Sequence, residues 1–160
     1  MRYLAEVRTY GSVLFPDFES GSKFMRDLAK NRVFPASCRV VDNLQFQFAY
    51  AFSPAKTGAK EILLNKIKKY YVTKIIGFDP KRMCVATLLF EGMKDEVELQ
   101  QKKLYNIAKI YNGIKGGPEA GIRGYFLTFV IAYIRDLCMQ KEFIAESFET
   151  SCPWYFIKNS

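Results

Sequence analysis

The sequence predicts an α+β fold, a mainly antiparallel sheet covered by helices, and three observations lead there. Strand and helix signals are interleaved with long, unlike connections. One strand, Met83 to Phe90, is continuously apolar, so both of its faces need cover. The helical segments each place apolar residues together on one face. The 160 residues match one ordinary domain, long enough to bury a core, and show no repeat, linker or second domain.

The elements follow in order. Tyr10 to Phe15 is a short apolar strand ended by Pro16. Asp17 then stands at a helix N-cap, where its carboxylate can accept an orphan amide, and Glu19 in the first turn suits the helix dipole. Phe18, Met25, Leu28 and Ala29 fall on one face, which predicts a helix over Asp17 to Arg32, stopped by Pro35. Ser37 to Val41 is a second strand, Asp42-Asn43 a break, and Leu44 to Phe52 a short aromatic stretch. Lys60 to Tyr71 is helical by pattern, and Gly77-Phe78-Asp79-Pro80 is a turn. After the central strand, Lys94 to Asn112 places Val97, Leu104, Ile107, Ala108 and Tyr111 on one side, with Gly113 as C-cap. Gly113, Gly116, Gly117 and Gly121 lie in a glycine-rich stretch that lacks the Lys-Ser/Thr of a phosphate-binding loop and reads as a turn. Ile122 to Cys138 is a helix with eight residues at core spacing, among them Phe126, Phe129, Tyr133 and Leu137. Phe143 to Phe148 is a last strand.

Composition narrows the chemistry. Hydrophobic residues make up 49% and aromatics 16%, which excludes a disordered chain. The apolar stretch within Gly124 to Ile134 falls short of the roughly 20 residues that cross a bilayer. A net charge of +8 suits anionic lipid, phosphorylated ligands or a solvated lysine surface. Lys56, Lys60, Lys66, Lys68, Lys69 and Lys74 cluster without any nucleic-acid motif spacing, so no nucleic-acid partner is expected. Cys38, Cys84, Cys138 and Cys152 are far apart, form no CxxC and read as reduced core thiols; no metal site is expected. The chain has no histidine, which removes Ser-His-acid and Cys-His catalysis and any imidazole base.

Several blocks are more specific than periodicity. Tyr10-Gly11-Ser12-Val13, Pro35-Ala36-Ser37-Cys38-Arg39-Val40-Val41-Asp42-Asn43 and Gln45-Phe46-Gln47-Phe48 come first, then Gly77-Phe78-Asp79-Pro80 and Val85 to Gly92. Arg123-Gly124-Tyr125, Ile131 to Leu137, Glu146 to Ser151 and Pro153-Trp154 complete the set. In this order they resemble the cap region of the alkylglycerone-phosphate (alkyl-dihydroxyacetonephosphate) synthase family, from about Tyr10 to Trp154.

The resemblance implies a flavoprotein of the vanillyl-alcohol-oxidase type, in which a separate domain binds FAD and the cap shapes the substrate pocket. The family exchanges the acyl chain of acyl-dihydroxyacetonephosphate for a long-chain fatty alcohol, forming the ether bond of ether lipids. It also implies a peroxisomal setting, peripheral membrane contact and a homodimer. Two residues carry over. Arg135 matches the arginine that binds substrate near its leaving carboxylate, for which a planar, permanently charged fork is suited. Arg39 matches an arginine important for activity. The assignment requires Arg135 to face a fatty-chain cavity. Residue physics alone favours plainer roles: Arg135 near the helix C-terminal dipole or paired with Asp136, and Arg39 in a strand-edge pair with Asp42.

The sequence also departs from the family. Residues 1–160 read as a single partial domain, with the FAD-binding domain and the catalytic C-terminal part outside it, so no cofactor-binding residue is expected here and isolated activity is not. Tyr50 stands where the family has a histidine, and the Lys158-Asn159-Ser160 end is no peroxisomal address. The other classes open on the sequence are a cap from another FAD-linked oxidase or dehydrogenase and a basic membrane-binding module.

Overall fold

A computed structural model describes residues 5–51, 70–144 and 149–157, excepting the side chains of residues 49–51, 127, 128 and 131. The chain forms two compact units, Met1–Leu127 and Thr128–Ser160.

The first unit is built on four antiparallel strands in the order β2-β3-β1-β4: β1 Val7–Phe15, β2 Ser37–Val41, β3 Cys84–Gly92 and β4 Ile114–Gly116. The expected antiparallel α+β class is what the chain adopts. The apolar run that predicted a strand covered on both sides is β3, buried from Cys84 through Phe90. It pairs β1 over nine residues, from Val7 opposite Gly92 to Phe15 opposite Cys84. β4 lies inside the glycine-rich stretch read as a turn: Ile114 to Gly116 pair with Leu14 to Ser12. The strand was hidden because three residues, one a glycine, carry almost no periodicity signal.

Alternation splits the sheet. Val13 and Phe15 of β1 with Cys84, Ala86, Leu88 and Phe90 of β3 face the helices α1 (Phe18–Lys30) and α3 (Lys94–Ile110). Those helices contribute Phe24, Leu28, Val97, Leu104 and Ala108, each 4% exposed or less. In α1 the buried face runs through Gly21, Phe24 and Leu28. Phe18 and Ala29, expected on that face, are exposed instead, because Phe18 sits at the first helical position, before the helix settles onto the sheet. Asp17 is the N-cap as expected: its backbone is extended and Oδ1 accepts the Ser20 amide at 2.8 Å. That bond holds the Asp17 carboxyl below its ordinary pKa.

α1 and α3 end alike. The residue after each C-cap is left-handed, Arg32 (φ 53°) and Asn112 (φ 56°). The next amide reaches back, from Val33 to the Leu28 carbonyl and from Gly113 to the Ala108 carbonyl. Asn112, not Gly113, therefore takes the special conformation. Gly113 is small for another reason: an added Cβ would lie 2.6 Å from the Phe15 ring. The Tyr111 hydroxyl ties α3 to α1 by donating to the Asp27 carboxylate.

The aromatic stretch after β2 forms helix α2, Asn43–Ala51. Asp42 caps it by accepting the Gln45 amide, and Asn43 donates to the carbonyls of Pro80 and Met83. The turn expected at residues 77–80 is present, with Gly77 at φ 82° and the Lys81 amide bonded to Asp79. The helix expected over Lys60 to Tyr71 falls mostly outside the described residues; Tyr71–Ile75 form a single π-helical turn.

Helix α4 spans Pro118–Gln140. Its first part covers the other face of the sheet. The core stripe expected along it is not buried: Ile122, Phe126, Phe129, Tyr133 and Leu137 are 49–74% exposed. Apolar spacing reports which side of a helix is apolar, not whether the same chain covers it. In the second unit, α4 closes with Glu142 left-handed and the Phe143 amide on the Cys138 carbonyl. Phe143 and Ile144, the start of the last expected strand, are not in a strand, and 145–148 lie outside the described residues. A one-turn helix, α5, follows at Trp154–Ile157.

Candidate functional site

The site is assembled on the sheet face opposite α1 and α3. Alternation and register bring three rows there: Arg8, Tyr10, Ser12 and Leu14 from β1; Val85, Thr87, Leu89 and Glu91 from β3; Ser37, Arg39 and Val41 from β2. The start of α4 lies unusually close to this surface because two helical positions are glycine. A Cβ on Gly121 would run into the Gly11 carbonyl and lie 2.9 Å from the Gly11 amide nitrogen. One on Gly124 would lie 2.8 Å from the Thr87 Cβ. Ser12 fixes the helix entrance by donating from Oγ to the Gly117 carbonyl at 2.8 Å.

Beside this contact lies a shallow hollow open to solvent, whose enclosed part is about 10 Å³, the room of one water molecule. Ser37, Arg39, Thr87, Leu88 and Leu89 line it from the sheet, and Gly121, Gly124 and Tyr125 from α4. Arg39 is the cation of this hollow. It is exposed, stands opposite Thr87, and its carbonyl receives the Thr87 hydroxyl at a long 3.5 Å. Asp42, the acid considered for it, also caps α2 through one carboxylate oxygen.

Arg8 borders the same face. Its Nε is 3.0 Å from the Glu91 carboxylate. Its guanidinium carbon lies 5.6 Å from the Tyr10 ring and 5.2 Å from the Tyr125 ring, which meet edge-on at 5.9 Å. Sequence reasoning missed this group. The signal was the Arg-x-Tyr spacing of β1, which puts both residues on one face, but the strand was begun at Tyr10 and excluded Arg8.

Arg135 belongs to the second unit, on α4. Its side chain is 55% exposed, with the Asp136 carboxylate at 3.9 Å, the loose pairing considered from sequence. Tyr50 falls in α2.

The remaining chemistry is restricted. Burial pushes the Cys38 and Cys84 thiols up to about 12, with Asp17 adding to it at Cys84, so neither is a nucleophile at neutral pH. Cys152 is exposed and Cys138 half-buried, so the expectation of four core thiols holds for only part of the set. Among the described residues no cluster of His, Cys, Asp or Glu suits a metal, and no helix is long and apolar enough to cross a membrane.

A model for the C-terminal domain of FAD linked oxidases matches residues 4–159. The chain is 42% identical over 151 residues to the alkyldihydroxyacetonephosphate synthase of Caenorhabditis elegans, covering 94% of this chain and 25% of that one. The synthase of Trypanosoma brucei brucei is 24% identical over 148 residues, covering 92% of this chain and 24% of that one. That of Dictyostelium discoideum is 26% identical over 145 residues, covering 91% and 24%. The chain thus spans about a quarter of the length of these relatives. Two solved structures of alkyldihydroxyacetonephosphate synthase share the fold. Their TM-scores are 0.66 and 0.65 at 23% and 25% identity, over 85% of this chain and 25% and 24% of theirs. FAD is thus the cofactor of the family, but the described residues do not fit a dinucleotide. The glycines that might have cradled phosphates are committed to packing, Gly116 against Ser12 and Gly121 against Gly11. The chain belongs to the FAD-linked oxidase family as a C-terminal domain, similar in sequence and fold to the alkyldihydroxyacetonephosphate synthases.

Proposed function

We propose that this chain is the substrate-binding cap of an alkyldihydroxyacetonephosphate synthase, a single functional piece whose FAD domain and proton-handling residues are supplied by the rest of a longer protein. The whole would exchange the acyl group of acyl-dihydroxyacetonephosphate for a long-chain fatty alcohol, within ether-lipid synthesis in the peroxisome. The observation that carries this reading is the match to the C. elegans enzyme through 94% of the chain at 42% identity.

Physical chemistry supports the roles. Both ends of the exchange are anionic: a phosphate on the glycerone and a carboxylate that leaves. Arg39 offers a permanent cation at the mouth of a hollow. Arg135 has only a loose acid neighbour at 3.9 Å, which a bidentate carboxylate would displace at shorter N–O distances, about 2.7–2.9 Å. The exposed apolar side of α4 offers surface suited to alkyl chains. With no histidine, this chain offers no imidazole for proton transfer, and the reading gives it binding and orientation.

The test is replacement. Residues 4–159 are exchanged for the matching quarter of the C. elegans enzyme, and alcohol-for-acyl exchange is assayed. Exchange above that of the C. elegans enzyme with its own quarter deleted supports the reading. A well-folded, FAD-loaded chimera with no exchange overturns it. The isolated chain given FAD and both substrates is expected to show no turnover.

A further inference from the structure

The Arg8 group has no counterpart in the roles proposed so far, yet it touches the wall of the hollow. Tyr125 lines that hollow beside Arg39 and is also the ring on which Arg8 stacks. We infer that Arg8 is a positioning residue, which locks the Tyr125 ring as the wall against which the anionic group held by Arg39 is seated.

Three constraints converge on the ring. From beneath, Gly124 lets α4 touch Thr87, so the helix cannot carry Tyr125 further inward. From the side, Tyr10 meets it edge-on, at 5.9 Å and 60°. On its open side the Arg8 guanidinium closes the group, itself held by Glu91 directly opposite in the strand register. A hydrogen bond to Tyr125 also raises the Arg8 pKa, consistent with contact by the charged form. Arginine suits the position because a planar cation covers a ring face while its edge pairs with a carboxylate. Its side chain is 47% exposed, so it contributes little to the core.

The inference rests on the reading of Arg39 as an anion-binding residue, and the experiment separates the two. The chain is titrated by NMR with octanoate and, in a second arm, with glycerol 3-phosphate, to distinguish carboxylate from phosphate. Arg8→Met is expected to weaken binding of the preferred probe about 3-fold and to sharpen the Tyr125 ring signals through faster flipping. Arg8→Lys recovers part of the affinity. Should Arg8→Met fold poorly, Glu91→Gln, which frees Arg8 without touching Tyr125, weakens binding in the same direction. If Arg39→Met weakens binding while Arg8→Met and Glu91→Gln match wild type, the positioning role is wrong and the Arg39 reading stands. If Arg39→Met binds like wild type, or wild type binds neither probe, the anion reading falls and this inference with it.

Discussion

Replacing Gly121 with alanine sets two physical effects of opposite sign against each other. In an exposed helix, Gly→Ala stabilises by about 1 kcal/mol, from propensity and a less flexible unfolded chain. At Gly121 the added Cβ would meet the Gly11 carbonyl and sit 2.9 Å from the Gly11 amide nitrogen and 3.1 Å from its carbonyl carbon. These atoms belong to the backbone of β1, held between β3 and β4, and cannot swing aside as a side chain would. Ordinary carbon contacts need about 3.5–4.0 Å, so α4 must lift by an ångström or more. Overpacking of this kind costs about 1–3 kcal/mol, with backbone clashes at the upper end. The net expectation is a loss of about 2 kcal/mol, or roughly 4–8 °C in Tm for a chain of this size. Urea melts followed by circular dichroism measure it, and the lift should also open the Arg39 hollow. A Gly121→Ala chain as stable as wild type, or more so, would show that propensity governs and that α4 is not pressed onto the sheet.

Four further outcomes follow from particular contacts. Asp17→Ala should cost about 1 kcal/mol through loss of the N-cap. Because the folded Asp17 pKa is depressed, that stabilisation is complete above the ordinary carboxylate value near 3.9; it fades as pH falls from there through the lowered folded pKa, so wild type and Asp17→Ala converge in acid while Asp17→Asn keeps its advantage. Arg32→Gly should stabilise by about 0.5–1 kcal/mol, since φ 53° strains any residue with a Cβ; an unchanged urea midpoint would contradict it. Phe24→Ala should cost about 3–5 kcal/mol, read as loss of the cooperative melt at 37 °C. With a thiol reagent at neutral pH, Cys152 should react first and Cys84 only on unfolding, as timed mass spectrometry would record.

Much of the fold was legible because its physics is local. The continuous apolar run of β3, the cap at Asp17 and the apolar face of α3 each announce themselves within a dozen residues. β4 did not, since its three residues make a strand only by pairing with β1. The stripe on α4 misled for the opposite reason: its spacing is that of a core helix, but Phe126 and Tyr133 stay exposed in this chain. Arg39 and Arg135 are proposed from resemblance, because an isolated arginine carries no periodic signal. Arg8, Tyr10, Glu91 and Tyr125 come together only through strand register and the close approach at Gly124.

Arginine replacement in the C. elegans chimera tests the central claim most directly. Arg39→Met and Arg135→Met should each lower the exchange kcat/KM by about 10- to 100-fold, the loss of a charge-assisted hydrogen bond to an anionic substrate, with FAD content unchanged. Full exchange activity in both variants would contradict the assignment of this chain as the part that grips the substrate.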